Sequence, residues 1–210
     1  MSEKTKSIPS LVKDPELVKV RRNQIIQAAM DLFVQKGFHK TTTREIARES
    51  GIGIGTLYEY IQSKEDVLYL VCDHIHSEVE QKLDEEMTHG RTGRETLVNS
   101  IGDFFRIMDQ MQDSVLLIYQ EMKSLPNEML HYVLAKEELI TSRFERILER
   151  GIEDGSLSLQ PGYVKLTAHN IVVLGEMWAF RRWALSRHYS LEEYISHQTA
   201  LVLHEMKSGR

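Results

Sequence analysis

A chain of 210 residues with 41% hydrophobic and 27% charged side chains has the composition of a soluble globular protein of one or two small domains. It holds no apolar run near the roughly 18 residues that a membrane span needs, and its polar first 19 residues are expected to carry no secretory leader. The single cysteine, Cys72, excludes an internal disulfide framework and a cysteine-based zinc site, so a reducing, cytoplasmic compartment is expected.

Charge is unevenly spread. Residues 1–64 carry 11 Lys and Arg against 7 Asp and Glu, a net of +4, whereas residues 65–210 carry 15 against 24, a net of −9. A basic head on an acidic body suggests that the head meets a polyanion, although chance clustering would give the same asymmetry.

The apolar residues recur at three- and four-residue spacing throughout, the helix period, and no alternating strand stands out. Residues 1–18 read as a flexible arm. A helix over 19–36 is predicted to bury Ile25, Ile26, Ala29, Leu32 and Phe33, with Gly37 ending it. Thr42 stands three residues before Glu45, the capping-box spacing, and opens a short helix that turns Ile46 and Ala47 inward and stops at Gly51. A further short helix is predicted over about 54–61, with Leu57 and Ile61 inward. Ser63 and Asp66 repeat the capping box and start a long helix over about 64–87. Later helices are predicted over about 94–111, 113–124, 127–154, 162–187 and 190–207.

Within this all-α pattern, GIGIGTLYEYIQSKED at 51–66 is the most informative stretch. A phosphate-binding loop does not fit it. Gly51, Gly53 and Gly55 follow a short helix rather than a strand, and the P-loop lysine and hydroxyl are absent. A helix-turn-helix accounts for more. Gly51 can take the positive φ of a tight turn. Gly53 and Gly55 let a backbone approach DNA closely at a helix N-terminus, whose free N–H groups and positive dipole end suit phosphate. Thr56, Tyr58 and Tyr60 are expected to point outward while Leu57 and Ile61 hold the helix down. The plainer alternative is that the glycines end helices and the tyrosines pack.

The stretch from Gln24 to Val71 resembles the DNA-binding domain of the TetR family of transcriptional regulators. It matches the family's G-[FY], T-[ST], short I-A helix, G-[IV], G-x-[LI]-Y and [SK]-K-[ED]-[DE] elements in order, over about a third of the chain. The resemblance implies an all-helical, homodimeric, ligand-released regulator, most naturally a repressor, that binds double-stranded operator DNA. Its N-terminal three-helix helix-turn-helix domain would span 19–64, and a C-terminal helical ligand-binding and dimerisation domain 65–210. Each recognition helix would enter a major groove, with half-sites about one helical turn apart, roughly 34–36 Å. The DNA contacts it implies fall on Thr43, Gly53, Ile54, Gly55, Thr56, Tyr58, Tyr60 and Lys64. Ile54 stands where relatives often carry a polar residue, and Glu59 sits on the recognition helix as either a cytosine acceptor or a solvated charge.

Beyond residue 65 the motifs thin out. The resemblance places the dimer interface on the last two helices, where Ile171, Leu174, Trp178 and Leu185, with Val202 and Leu203, form an apolar stripe. Phe104, Met108, Leu116, Tyr119, Met122, Phe144, Met177 and Trp178 supply large adaptable apolar surface for a pocket, or simply a core. Gly102 and Gly175 interrupt helices for close packing or for ligand room. EMWAFRRWALSRHY at 176–189 sets Arg181, Arg182 and Arg187 among two tryptophans and a phenylalanine, a group suited to a carboxylate, phosphate or nucleotide, or equally to pairing with the acidic body or the dimer mate. It resembles the corresponding stretch of family members that answer to acyl-CoA thioesters. The ligand residues expected on that basis are Phe104, Met108, Tyr119, Met122, Met177, Trp178, Arg181 and Arg182, with the anionic head at Arg181 or Arg182.

No catalytic triad or paired-carboxylate setting stands out, so no enzyme activity and no cofactor are expected. CDHIH at 72–76 holds two histidines that point to different faces of a helix, so no metal site is expected either. A helical small-molecule carrier without DNA binding is the alternative from another class, and it leaves the basic head unexplained.

Overall fold

A computed structural model describes residues 8–86 and 90–206. Among these, nine α-helices follow one another: α1 Pro15–Lys36, α2 Thr43–Glu49, α3 Ile54–Tyr60, α4 Lys64–Glu86, α5 Gly93–Gln110, α6 Gln112–Glu121, α7 Asn127–Glu153, α8 Val164–Leu185 and α9 Leu191–Glu205. None of the described helices is long and apolar enough to cross a membrane.

The chain divides into two compact units. The first holds residues up to Ser77 together with Leu116–Lys136, and the second Glu78–Val115 with Glu137 onward. In this division the first fourteen residues of α4, the end of α6 and the start of α7 belong to the same unit as α1–α3.

In the first unit α1 starts four residues before its expected position. Asp14 is its N-cap, accepting the Glu16 and Leu17 N–H groups, and Pro15 occupies the first turn, where its missing N–H is harmless. Residues 8–14 are not a free arm either, because Ile8 is buried and Leu11 donates its N–H to the Glu59 carbonyl at 2.8 Å. Both capping boxes form. Thr42 and Glu45 exchange bonds at the start of α2, and Ser63 and Asp66 at the start of α4. Glu45 also takes a 2.6 Å bond from Lys36. That bond first, and the Thr42 groups next, pull its carboxyl down to about 2. Gly51, at φ 71°, makes the α2–α3 turn in a conformation a side chain would strain. Ile25, Ala29, Ile46, Leu57, Ile61 and Leu68 close the core. Cys72, on the inner side of α4, is wholly buried.

The second unit packs α5 against α8 and α9. Its centre is aromatic: Phe104 meets Phe144 edge-on at 5.5 Å, Phe105 lies 5.7 Å from Tyr194, and Trp178 lies 5.0 Å from Tyr194. Gly175 permits this, since a Cβ there would lie 2.5 Å from a Phe104 ring carbon. Close packing, not ligand room, is what Gly175 provides. The Tyr194 hydroxyl donates to the Leu174 carbonyl at 2.6 Å, pinning α9 to α8.

Candidate nucleic-acid interface and effector residues

The outward surface of α2 and α3 is built around an uncapped helix end. Gly53 is the N-cap of α3 and has no side chain to accept the first-turn N–H groups. A Cβ on Gly55 would meet nothing within 4 Å, and one on Gly53 only Thr56 Oγ1 at 3.9 Å. Glycine inside a helix costs roughly 1 kcal/mol relative to alanine, and here the protein's own packing gives no return.

Around that end stand the other expected contacts. Ile54 and Tyr58 are exposed, and Thr43 and Thr56 are half-buried. The Tyr58 hydroxyl lies 3.2 Å from Thr43 Oγ1, so α2 and α3 present one joined polar edge. Arg44 and Arg48 add exposed positive charge on α2.

Two expected contacts are placed differently. Tyr60 does not point outward; it is 3% exposed. Tyr58 and Tyr60 are two residues apart, about 200° around a helix, so they face opposite ways, and Tyr60 shares the inner face with Leu57. Lys64 is half-buried. Its ammonium donates to the Phe38 and Thr41 carbonyls at 3.0 and 3.1 Å and lies 4.2 Å from the Phe38 ring centre. Two of its three donors are thus engaged in holding the α1–α2 turn.

Two residues that the sequence reading passed over hold this head in shape. Arg22 donates to the Ile8 carbonyl at 2.6 Å and to the Tyr60 carbonyl at 3.1 Å, tying the N-terminal segment to the end of α3. Glu121, at the end of α6, accepts the Phe38 N–H at 3.0 Å. Their partners lie 38 and 83 residues away, and no spacing rule reaches that far.

The expected effector residues fall into two groups. Tyr119, exposed, and Met122, half-buried, belong to the first unit. Phe104, Met108 and Trp178 are buried in the second unit's core, with Met177 half-buried on α8. The Trp178 indole donates to Asp109 Oδ1 at 2.7 Å, and Arg182 pairs with the same oxygen at 3.2 Å. Arg182 therefore already faces an anion. Arg181 is exposed and lies over the Trp183 ring at 5.4 Å.

The apolar stripe expected at the dimer interface is also placed differently. Ile171 and Trp178 are buried within the chain, while Leu166, Val173 and Leu201 are each more than half exposed. Of these, Val173 and Leu201, with Thr167, Asn170 and Gln198, border a groove of about 410 Å³ between α8 and α9.

The sequence agrees with what this geometry suggests. Residues 25–69 match the pattern described as bacterial regulatory proteins of the tetR family, and residues 90–183 the tetracyclin repressor-like C-terminal domain. The HTH-type transcriptional regulator HbdR of Aromatoleum sp. (strain CIB) is 31% identical over 199 residues, covering 94% of this chain and 85% of that one. The chain belongs to the TetR family of transcriptional regulators. Solved structures agree in fold. A tetR-family regulatory protein from Rhodococcus RHA1 superposes with a TM-score of 0.76 at 24% identity, covering 89% of this chain and 96% of that one. AibR, solved in complex with isovaleryl coenzyme A and operator DNA, superposes with a TM-score of 0.71 at 17% identity, covering 87% and 98%. As a TetR-family regulator the chain is a DNA-binding helix-turn-helix protein.

Proposed function

We propose that this TetR-family regulator is a homodimeric repressor, released from its operator by an acyl-CoA-like thioester. The observation that carries the DNA half is the glycine-framed, uncapped N-terminus of α3, where a phosphate would supply the missing acceptors. Support for the dimer comes from the α8–α9 groove, with Val173 and Leu201 exposed along it and Leu166 exposed nearby on α8. Support for the effector class comes from the likeness to AibR and from the arginines of α8. Arg181, stacked on Trp183 and exposed, suits an anionic head better than Arg182, which an anion would have to draw away from Asp109. The apolar tail would run beside Met108 and Met177 in the second unit.

Release requires that the effector prefer one of two states of the dimer. A coupling of about 1–3 kcal/mol changes operator affinity roughly 5- to 150-fold. The experiment is calorimetric titration with medium- and long-chain acyl-CoAs, with the free acids alongside, followed by gel shift with genomic fragments at saturating ligand. Tight binding of a thioester that weakens the shift is the expected result. Binding of no thioester would remove the effector class and leave DNA reading intact. Undiminished binding to an Arg181→Ala, Arg182→Ala double variant would remove the head-group assignment alone.

A further inference from the structure

The recognition helix is short. Seven residues make fewer than two turns, far below the ~12–15 at which an isolated helix persists in water. Its C-terminal carbonyls need partners, and the residues just after it provide only one: Ile61 N–H bonds the Leu57 carbonyl. Two more, at Glu59 and Tyr60, find partners nearer the start of the chain. Leu11 N–H and the Ser10 hydroxyl donate to the Glu59 carbonyl at 2.8 and 3.0 Å. Arg22, from α1, donates through Nε and Nη2 to the Tyr60 carbonyl at 3.3 and 3.1 Å. The same guanidinium holds the segment in place, bonding the Ile8 carbonyl at 2.6 Å and that of Pro9 at 3.5 Å. Buried Ile8 anchors the segment beneath.

We propose that Arg22 and residues 8–11 form a clasp that caps the recognition helix from outside, making Arg22 a positioning residue for operator reading. It acts through α3, not by touching DNA. Its charge also matches the negative end of the α3 dipole. The clasp lies before residue 25, where the family's DNA-binding pattern begins. Its effect should appear in discrimination between sequences. A phosphate contact made by surface cations tolerates a loosened α3, whereas base reading does not.

The test uses the full-length protein, a duplex it selects from a random-sequence pool, and a scrambled duplex of equal length. Arg22→Ala removes the bridge. Leu11→Pro removes the clasp's backbone N–H, and its ring restrains the neighbouring Ser10, at a residue that is 81% exposed and outside the core. Affinity for the selected duplex should fall about tenfold or more in Arg22→Ala and about three- to tenfold in Leu11→Pro, on the scale of lost charged and neutral hydrogen bonds. Affinity for the scrambled duplex should stay within about twofold, and the salt slope should be unchanged. Hydrogen exchange should quicken at residues 57–61 and not in α5, α8 or α9. Unchanged affinity of Leu11→Pro for the selected duplex overturns the proposal, even if Arg22→Ala fails to fold. Equal losses on both duplexes, or a salt slope shallower by about 0.9 in Arg22→Ala, also overturn it, the latter by placing the guanidinium on a phosphate.

Discussion

Glu121 and Phe38 are joined by one hydrogen bond, the carboxylate accepting the backbone N–H at 3.0 Å. Phe38 lies in the helix-turn-helix pattern and Glu121 in the C-terminal one, yet both condense in the same unit. Ser124 and His39 add a second bond between the same two segments, at 3.2 Å. On its other side the turn is held by Lys64. Glu121→Ala should therefore destabilise the first unit by about 1 kcal/mol, the net value of one such bond, and quicken hydrogen exchange at residues 37–41. Glu121→Gln keeps an acceptor oxygen and should lose less. Equal exchange in wild type and Glu121→Ala would show that the bond does not hold the turn.

Tyr58 and Lys64 should separate by their response to salt. Tyr58→Phe removes only a hydroxyl, so operator affinity should fall several-fold, about 1 kcal/mol, with the salt slope unchanged. Lys64→Ala should weaken binding by loosening the Phe38–Thr41 turn, again at constant slope. Fluorescence anisotropy across a salt series measures both. A slope shallower by about 0.9 in Lys64→Ala would assign its third donor to a phosphate.

Charge placed on the α8–α9 surface should dissociate the dimer. Val173→Asp and Leu201→Asp should give folded monomers in analytical ultracentrifugation, with weakened operator binding. Ile171→Asp should instead unfold the second unit, because a carboxylate would be buried there without a partner. Intact dimers for both surface variants would place the interface elsewhere.

Burial, with Glu137 beside it, pushes the Glu176 carboxyl up to about 8 from an ordinary 4.5. The folded chain thus holds a proton that the unfolded chain releases above about 4.5. The stability from this group is complete below about 4.5 and declines as pH rises towards 8. Thermal melts should show wild type less stable at pH 8.5 than at pH 5. Glu176→Gln should flatten that dependence and raise the melting temperature at pH 8.5 by about 3 °C or more. A pH-independent wild-type melt would show that Glu176 does not hold that proton in the folded chain.

What the sequence revealed was local. The capping boxes at Thr42–Glu45 and Ser63–Asp66 are spacings of three residues, and both formed. The start of α1 was equally readable, since Asp14-Pro15 is an N-cap followed by a first-turn proline, but the polar composition of 1–18 suggested an arm. Tyr60 faces inward because positions 58 and 60 lie about 200° apart around a helix, which two tyrosines in one motif do not themselves reveal. The stripe of Ile171 and Trp178 carried a correct period with the wrong partner, for an amphipathic face does not say whether its own chain or another covers it. Arg182 shows the remaining limit. Its engagement with Asp109, 73 residues away, is a tertiary fact.

The burial of Cys72 has a practical consequence. It is the chain's only thiol and no solvent reaches it, so it should stay silent towards thiol-reactive spin labels in the folded protein. A cysteine introduced at an exposed position of the reading head, such as Gln62→Cys, would then be the sole labelled site per chain. Dipolar spectroscopy between the two labels of a dimer would read the separation of the heads directly, with operator present and with thioester added. The natural sequence needs no prior removal of a cysteine for that measurement.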